Sequence, residues 1–273
     1  MATSTGTVEM DSVKARLKTI WMAGDYDRFS RYLESGAREL YERLPVAPGT
    51  TLLDVGCGSG QLALIAAKDG LAVTGVDIAP NWVERARARA QAEGLRATFD
   101  EGDAEALPYA DKSFDLVVSV LGAMFAPQPD LVAQELLRVC VPGGTVAMAN
   151  WTPQGFVGQM FKTVSKFIAP SGMPSPVLWG DETTVRARLG SGMSELRLER
   201  RDYPLNYPFP PAEVVDLFRL YYGPINRAFA SLDAEGGAQL HRDLEALWTA
   251  HNRAGAGCTI VRAEYLEVIG TRK

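Results

Sequence analysis

The sequence is poor in the side chains that bind metals or form disulfides. It has two histidines and three cysteines in 273 residues. Cys57, Cys140 and Cys258 are odd in number, stand far apart and lack any metal-ligand or redox spacing. We therefore expect no bound metal and three reduced, mostly buried thiols.

The sequence also lacks an excess of positive charge and any apolar run long enough to span a membrane. With a formal net charge of -5 and no Lys/Arg-rich stripe to offset it, the chain would repel a phosphate backbone. Its first residues, MATSTGTVEMDS, have neither a basic start nor an apolar segment, which argues against a secretory signal. We expect a cytoplasmic protein that spans no membrane and binds no nucleic acid.

What the sequence does have is an alternation of short apolar runs and helical patterns from about residue 51 to residue 150. This alternation is typical of βαβ units that build a parallel sheet. Residues 11–44 predict two helices broken around Gly24-Asp25, and further helices are expected to open near Pro80 and to cover 130–140. The expected strands cover residues 51–55, 72–77, 96–100, 114–120, 144–150, 196–204 and 259–270.

The strongest local signal is the segment LLDVGCGSG at 52–60, in which a buried strand leads into three glycines at alternate positions. A helical pattern follows at once. Glycine allows a tight turn and lets the backbone approach a ligand without a Cβ in the way. Three such residues are more than a plain turn requires, so the sequence predicts that a ligand lies against this loop. The three residues are Gly56, Gly58 and Gly60.

Spacing and charge around this loop favour S-adenosylmethionine over NAD. In a dinucleotide-binding loop the third glycine stands three residues after the second, and this chain has Gln61 there. Asp54, just before the loop, would oppose a pyrophosphate but suits a ligand that carries an ammonium and a sulfonium.

Two acidic positions further along the chain are suited to an adenosine. Asp77 ends the second strand, where a carboxylate can accept hydrogen bonds from ribose hydroxyls, and Ile78 can lie against the adenine face. After the third strand, Asp103 can accept from the adenine amino group and the Ala104 amide can donate to the ring. An isolated Asp at a strand end more often forms a turn or caps a helix, and only its place after the glycine loop favours the ligand role.

Four stretches resemble the class I S-adenosylmethionine-dependent methyltransferases, specifically the small-molecule group related to ubiquinone and menaquinone biosynthesis methyltransferases. These stretches are LLDVGCGSG at 52–60, GVDIAP at 75–80, GDAEALPYADKSFDLVVS at 102–119 and VPGGTV at 141–146. The resemblance covers roughly residues 45–150. It implies an α/β fold with a Rossmann-like, seven-stranded, mostly parallel sheet, an antiparallel last strand and helical lid elements.

The resemblance also implies roles for individual residues. The three glycines would face the methionine part of the cofactor, and the ribose would meet Asp77. The adenine would meet Ile78, Asp103 and Ala104. Ser119 and Leu121, at the end of the fourth strand, would lie beside the sulfonium.

The expected domain organisation has three parts. Residues 1–44 form an N-terminal helical lid, 45–150 the cofactor-binding core, and 151–273 the substrate cap helices together with the last two strands. Ligands in such folds bind beyond the carboxyl ends of the strands, so the lid and cap would enclose the methyl acceptor. Their apolar stripes are equally compatible with ordinary buried helix faces. The candidate pocket residues are Tyr26, Phe125, Trp151, Phe156, Trp179 and Phe218.

No catalytic residue stands out, because methyl transfer can be accelerated mainly by holding the acceptor in line with the sulfonium. A hydroxyl acceptor would need a base, for which the candidates are His251, Tyr221, Tyr222 and Asp181. His251 lies near a helix end, where a histidine commonly caps carbonyls instead. Arg85, Arg87 and Arg89 are expected to be solvated, since residues two apart on a helix point in different directions.

The sequence therefore predicts a methyltransferase that uses S-adenosylmethionine to methylate an O, N or C atom of a small, apolar or aromatic metabolite. Two alternatives remain open. One is an NAD-dependent oxidoreductase, which the glycine spacing disfavours. The other is a regulatory protein that binds S-adenosylmethionine without turnover.

Overall fold

The computed structural model describes residues 4–169, 172–255 and 257–273 of the chain. Seven strands form one sheet. They are β1 (Thr51–Val55), β2 (Ala72–Asp77), β3 (Ala97–Glu101), β4 (Phe114–Val120), β5 (Cys140–Trp151), β6 (Met193–Tyr207) and β7 (Thr259–Arg272).

The strand order is β3-β2-β1-β4-β5-β7-β6. Strands β1 to β5 pair in parallel with their neighbours, and β7 runs antiparallel to both β5 and β6. The predicted fold class, a Rossmann-like, mostly parallel sheet of seven strands with an antiparallel last strand, is confirmed. The two strands contributed by the end of the described chain belong to the same sheet as the first five.

Helices cover both faces of the sheet and the edge formed by the carboxyl ends of its parallel strands. None of the helices in the described part of the chain is long and apolar enough to cross a membrane. The helices are α1 (Ser4–Trp21), α2 (Tyr26–Ser30), α3 (Glu34–Tyr41), α4 (Gln61–Lys68), α5 (Pro80–Ala92), α6 (Pro129–Val139), α7 (Phe156–Val164), α8 (Glu182–Leu189), α9 (Pro211–Tyr221), α10 (Gly223–Ala230) and α11 (Ala234–His251).

The local sequence explains most features of the parallel strands and of the helices that follow them. Helices α5 and α6 both begin with proline, whose missing N–H costs nothing in the first turn. Strand β1 is buried at four of its five positions, as expected of a strand covered by helices on both faces. All three cysteines are free thiols, and Cys57 and Cys140 are buried.

Several predicted boundaries were wrong. Strand β3 lies one residue later than expected, and β6 and β7 extend beyond their expected ends. Two further differences have a structural cause. Strand β5 begins at Cys140 rather than at 144, because Cys140 pairs with Phe114 and the register then shifts towards Leu116. The second predicted N-terminal helix is interrupted, since a 3₁₀ turn over Arg31–Leu33 separates α2 from α3. Both irregularities depend on tertiary pairing that helical periodicity does not express.

The N-terminal helices pack against α9 and α10 as well as against α5. The backbone N–H of Asp25 donates to the Tyr221 carbonyl at 3.2 Å, and Gly223 approaches the Ile20 carbonyl so closely that a Cβ would stand 2.2 Å from it. On the core side, Nε1 of Trp82 donates to the Trp21 carbonyl at 2.7 Å. Helices α1 and α2 therefore form a roof over the carboxyl ends of the parallel strands.

Candidate functional site

Three adjoining cavities lie beneath this roof, and Tyr26 and Leu121 line all three. The outer cavity, lined by Asp77, Ile78 and Asp103 among others, has a volume of about 780 Å³ including the solvent at its mouth. The loop cavity contains Asp54, Gly56 and Gln61 in its wall and measures about 380 Å³. The aromatic cavity measures about 440 Å³ and lies between the core and the cap. Two side chains therefore mark the point where the three cavities meet.

All three glycines of the loop have a positive φ, and at the first two positions a Cβ would also collide with a neighbour. Gly56 has φ +74° and a Cβ there would come 2.8 Å from the Gly122 Cα. Gly58 has φ +52° and its Cβ would meet the Tyr26 ring at 2.9 Å. Both glycines line cavities. Gly60 lines none of the three and instead precedes α4, with Leu64 beside it.

The carboxylate of Asp77 connects the end of β2 to the glycine loop. Its Oδ2 accepts from the Gly58 backbone N–H at 2.8 Å, and its Oδ1 accepts from the Ala79 N–H at 2.9 Å. Burial raises the pKa of Asp77, although these backbone donors act in the opposite direction. The residue therefore shapes a turn and also lines the outer cavity.

Asp103 lies in the outer cavity together with Ala104, and a lysine that sequence reasoning missed lies beside them. Oδ1 of Asp103 accepts from the Glu105 N–H at 2.9 Å, and Oδ2 lies 2.6 Å from Nζ of Lys14. The same Nζ lies 2.5 Å from the buried Glu105 carboxylate. Burial would lower the pKa of Lys14, but the two carboxylates hold it above its ordinary value.

Lys14 comes from α1, so its ion pairs fix the roof onto the outer cavity. Leu17 and Trp21 of the same helix also line this cavity. The spacing of 14, 17 and 21 places these side chains on one helix face, and this pattern was available in the sequence. The sequence predicted a lid over the acceptor, but it did not indicate that this face of α1 would line the outer cavity beside Asp103.

Asp54 lies in the wall of the loop cavity and is buried. Burial raises its pKa to about 7, the backbone N–H of Ala63 acts against the rise, and the nearby Asp77 adds to it. The hydrogen bond from the Ala63 N–H measures 3.2 Å. At neutral pH the carboxyl of Asp54 is thus divided between its neutral and charged forms, and a cationic ligand would favour the charged one.

Ser119 and Leu121 have different positions at the end of β4. Oγ of Ser119 donates to the Val55 carbonyl at 2.7 Å and accepts from the Ala123 N–H at 2.9 Å, and the residue lines none of the cavities. Leu121 has φ +57°, an uncommon conformation for a leucine. Ser119 therefore holds the turn that presents Leu121 to all three cavities.

Five of the six predicted pocket residues line the aromatic cavity, namely Tyr26, Phe125, Trp151, Phe156 and Phe218. The sixth, Trp179, does not. It is buried elsewhere, with the Arg188 guanidinium 4.6 Å from its ring centre. Trp21, Phe29 and Met160, which belong to the expected apolar stripes of the lid and the cap, also line the cavity.

Of the four candidate bases, only Tyr222 lines a cavity. Burial raises its pKa well above the ordinary value, which keeps the hydroxyl protonated. Nε2 of His251 lies 3.3 Å from Oε1 of Gln159, and the Tyr221 ring lies beneath the Arg28 guanidinium. Asp181 is the N-cap of α8 and accepts from the Thr184 N–H at 2.9 Å.

Arg85 and Arg87 of α5 are exposed, as expected, and Arg89 is half-buried, but all three also make polar contacts that the sequence did not indicate. Arg85 and Arg89 are four residues apart, so they share a helix face and both approach the buried carboxylate of Asp27, at 3.0 and 3.6 Å. Arg89 also donates to the Ser59 carbonyl of the glycine loop at 2.9 Å. Arg87 points elsewhere and donates to the carbonyl of Phe99. Asp27 thus connects α2 to α5 next to the loop.

Comparison with known proteins gives matches along most of the chain. A methyltransferase domain matches residues 53–148. The uncharacterized protein Rv1405c of Mycobacterium tuberculosis is 36% identical over 250 residues, covering 89% of this chain and 91% of the relative. The 2-methyl-6-phytyl-1,4-hydroquinone methyltransferase of Synechocystis sp. is 47% identical over 105 residues, which cover 38% of this chain and 33% of the enzyme.

Among solved structures, the YcgJ protein of Bacillus subtilis has the same fold. The two superpose with a TM-score of 0.61 at 18% identity, covering 88% of this chain and 98% of that protein. The sheet topology, the glycine loop and the matched domain together define the class I S-adenosylmethionine-dependent methyltransferases. The chain belongs to this family.

Proposed function

We propose that the protein binds S-adenosylmethionine and transfers its methyl group to an O, N or C atom of a small, apolar or aromatic molecule. The observation that carries this proposal is the meeting of three chemically different cavities at Tyr26 and Leu121. Two of the cavities contain carboxylates and glycine backbone, and the third is apolar. A cofactor divided between the first two would present its reactive centre to the third.

The residues of the outer and loop cavities fit this cofactor. Asp77 would accept from the ribose hydroxyls, using lone pairs that its two backbone donors leave free. Ile78 and Ala104 would lie against the adenine, and Asp103 would accept from its amino group. In the loop cavity Asp54 would bind the ammonium of the amino-acid tail. The fit rests on Gly58 as well, because any larger side chain would collide with Tyr26.

When bound, the cofactor supplies a methyl group attached to a positively charged sulfur. The contribution of the protein is to hold the acceptor atom at that group and to exclude water. Trp21, Phe125 and Tyr222 provide the walls that would orient a flat acceptor. Burial keeps the hydroxyls of Tyr26 and Tyr222 protonated, so each would donate a hydrogen bond to the acceptor and neither would act as a base near neutral pH.

The lining of the aromatic cavity supports an uncharged acceptor. Of the described residues around it, none is Asp, Glu, His, Lys or Arg, and eight carry aromatic rings. Moving an unpaired charge from water into such surroundings is strongly unfavourable. The acceptor is therefore expected to be neutral in its bound part, and its proton would leave to water rather than to a side chain of this cavity.

Incubation with S-adenosylmethionine labelled in the methyl group and a fractionated metabolite extract tests this proposal. We expect S-adenosylhomocysteine and a labelled product to accumulate in equal amounts. Phe156→Asp places a charge in the aromatic cavity and serves as the comparison, with cofactor binding retained and turnover lost. Cofactor binding without turnover on any fraction would favour the regulatory alternative. Binding of NADH but not of S-adenosylmethionine would favour the oxidoreductase.

A further inference from the structure

The loop cavity contains a pair of neutral hydrogen-bonding side chains whose role the fold does not explain. Ser30 of α2 and Gln61 of α4 both line it. Nε2 of Gln61 donates to Oγ of Ser30 and, at 2.8 Å, to Oγ of Ser59. Ser30 is buried, and its hydroxyl donates to the Asp27 carbonyl at 3.2 Å. The roof and the core thus meet in this cavity through a serine and a glutamine.

The loop cavity offers an acidic partner for the amino-acid tail of the cofactor but no basic one. That tail carries an ammonium and a carboxylate, and Asp54 suits the ammonium. Of the described residues that line the loop cavity, only Asp54 carries a formal charge, so none of them is a cation that could pair with the carboxylate.

Two cations that contact the site are engaged elsewhere. The guanidinium of Arg89 donates to the Ser59 carbonyl of the glycine loop and approaches Asp27. Lys14 lines the outer cavity and is held by two carboxylates. The carboxylate of the tail is therefore left to neutral donors. Among the described side chains that line the loop cavity, Ser30 and Gln61 carry a hydroxyl and an amide that could turn to it, whereas the Tyr203 hydroxyl donates to the Leu33 carbonyl.

We propose that Gln61 and Ser30 together bind the α-carboxylate of the cofactor. This inference rests on the proposed function. The Gln61 amide keeps one hydrogen bond to Ser59 and redirects to the carboxylate the hydrogen that it now gives to Ser30. Ser30 turns its hydroxyl from the Asp27 carbonyl towards the same group. Two neutral hydrogen bonds are exchanged for two charge-assisted ones, which are stronger.

The position of Ser30 on α2 would make the bound cofactor a link between the roof and the core. Because Ser30 belongs to α2, the carboxylate would connect the roof to the core through the ligand itself. Tyr26, at the start of the same helix, lies where the three cavities meet. A ligand that lacks the carboxylate would fill the same cavities and leave this connection unmade.

Titration calorimetry with two ligands isolates the carboxylate. The ligands are S-adenosylhomocysteine and its decarboxylated analogue S-adenosyl-3-thiopropylamine, which keeps the ammonium. We expect wild type to prefer S-adenosylhomocysteine by about 10- to 100-fold. Gln61→Leu should reduce this preference to about threefold or less while affinity for the analogue stays nearly constant. Gln61→Glu should reverse the preference, because its carboxylate repels that of the ligand.

Two further variants complete the test. Ser30→Ala should reduce the preference in part, and it replaces the Gln61 variants as the test should those fail to fold by circular dichroism. Gln91→Leu, at an exposed glutamine of α5, should leave the preference unchanged. An unaltered preference in the Gln61 and Ser30 variants, or an equal loss of affinity for both ligands, would overturn the inference. Failure of wild type to bind either ligand would instead refute the proposed function itself.

Discussion

The backbone N–H of Gly58 donates a hydrogen bond of 2.8 Å to the carboxylate of Asp77. This bond holds the loop after β1 against the end of β2, so the acid that would bind a ribose also fixes the loop that would bind the rest of the cofactor. Asp77 also lines the outer cavity, where its remaining lone pairs could accept from a ligand. Loop geometry and ligand binding are therefore expected to respond together when this side chain changes.

Asp77→Ala should weaken binding of S-adenosylhomocysteine by about 2 to 4 kcal/mol, because two hydrogen bonds to a charged group are lost. Titration calorimetry measures the change. Asp77→Asn keeps one acceptor oxygen and should lose less. Asp202→Ala, which removes an exposed acid from β6, is the control and should bind as wild type does. An unchanged dissociation constant for Asp77→Ala would remove this residue from the site.

Gly58→Ala should abolish measurable cofactor binding in a protein that still folds. The new Cβ would meet the Tyr26 ring at 2.9 Å in a backbone conformation that alanine disfavours, and it would occupy the wall of the outer cavity. Gly70→Ala is the matched control, since Gly70 also has a positive φ but nothing lies within 4 Å of its Cβ position. Both variants should lose about 1 to 2 kcal/mol of unfolding free energy from backbone strain, and only Gly58→Ala should lose binding. Equal binding by the two variants would place the ligand elsewhere.

The raised pKa of Asp54 should make the unfolding free energy of the protein depend on pH. Its contribution to the unfolding free energy is fully present below the unfolded pKa of about 3.9 and is lost as the pH rises through about 7. Between these values wild type should lose stability relative to Asp54→Asn, by at most about 1.4 kcal/mol per pH unit. Urea unfolding of both proteins from pH 4.5 to 8 checks this. A constant difference in unfolding free energy across that range would contradict the raised pKa.

Cofactor binding should release a proton from the same carboxyl. An ammonium beside Asp54 favours its charged form, so at pH 6 binding of S-adenosylhomocysteine should release close to one proton. Calorimetry in two buffers of different ionisation enthalpy measures this number. Asp54→Asn should release almost none, and the same release from both proteins would assign the proton to another group such as Asp77, whose pKa burial also raises.

Asp27→Asn should loosen the attachment of α2. Burial alone would raise the pKa of Asp27, but hydrogen bonds from Arg85, Ser59 and Arg31 hold it below the ordinary value. Its contribution to stability is therefore present above the unfolded pKa of about 3.9 and is lost as the pH falls through the folded value. We expect a loss of about 1 to 3 kcal/mol in unfolding free energy at pH 7, together with weaker cofactor binding.

The control for this change is Asp130→Asn, because the Asp130 side chain is 84% exposed although it lies 3.6 Å from Arg188. Urea unfolding and calorimetry on both variants are the measurements. If Asp27→Asn bound the cofactor as tightly as wild type, α2 would not contribute to the site.

Most of the parallel sheet could be predicted from the sequence because its signals are local. Strands β1, β2 and β4 have the predicted bounds, since each is an apolar run with a turn signal at its end. The start of β5 could not be predicted, because it depends on the pairing of Cys140 with Phe114. The 3₁₀ turn over Arg31–Leu33, which interrupts the second predicted helix, could not be predicted either, because it depends on packing against the rest of the fold.

The residues of the candidate site were likewise predictable only where they belong to a local sequence motif. Asp77, Ile78, Asp103 and Ala104 line one cavity, as a local motif following a glycine loop predicted, although their ligand remains a proposal. Lys14 and Asp27 were missed because their partners lie 89 and 58 residues away along the chain, at Asp103 and Arg85. Trp179 lines none of the three cavities, because a buried aromatic side chain has the same sequence pattern whether it faces a cavity or packs against a neighbour such as Arg188.

Strand β7 lies between β5 and β6, although it is the last of the seven strands to be synthesised. Until residues 259–272 leave the ribosome, the 15 residues of β6 have no partner and the edge of β5 exposes free N–H and C=O groups. During this interval the nascent chain contains the glycine loop and both acidic turns, but its sheet lacks the strand that joins β5 to β6. Because unpaired strand edges favour aggregation, we expect aggregation during synthesis to arise mainly in that interval.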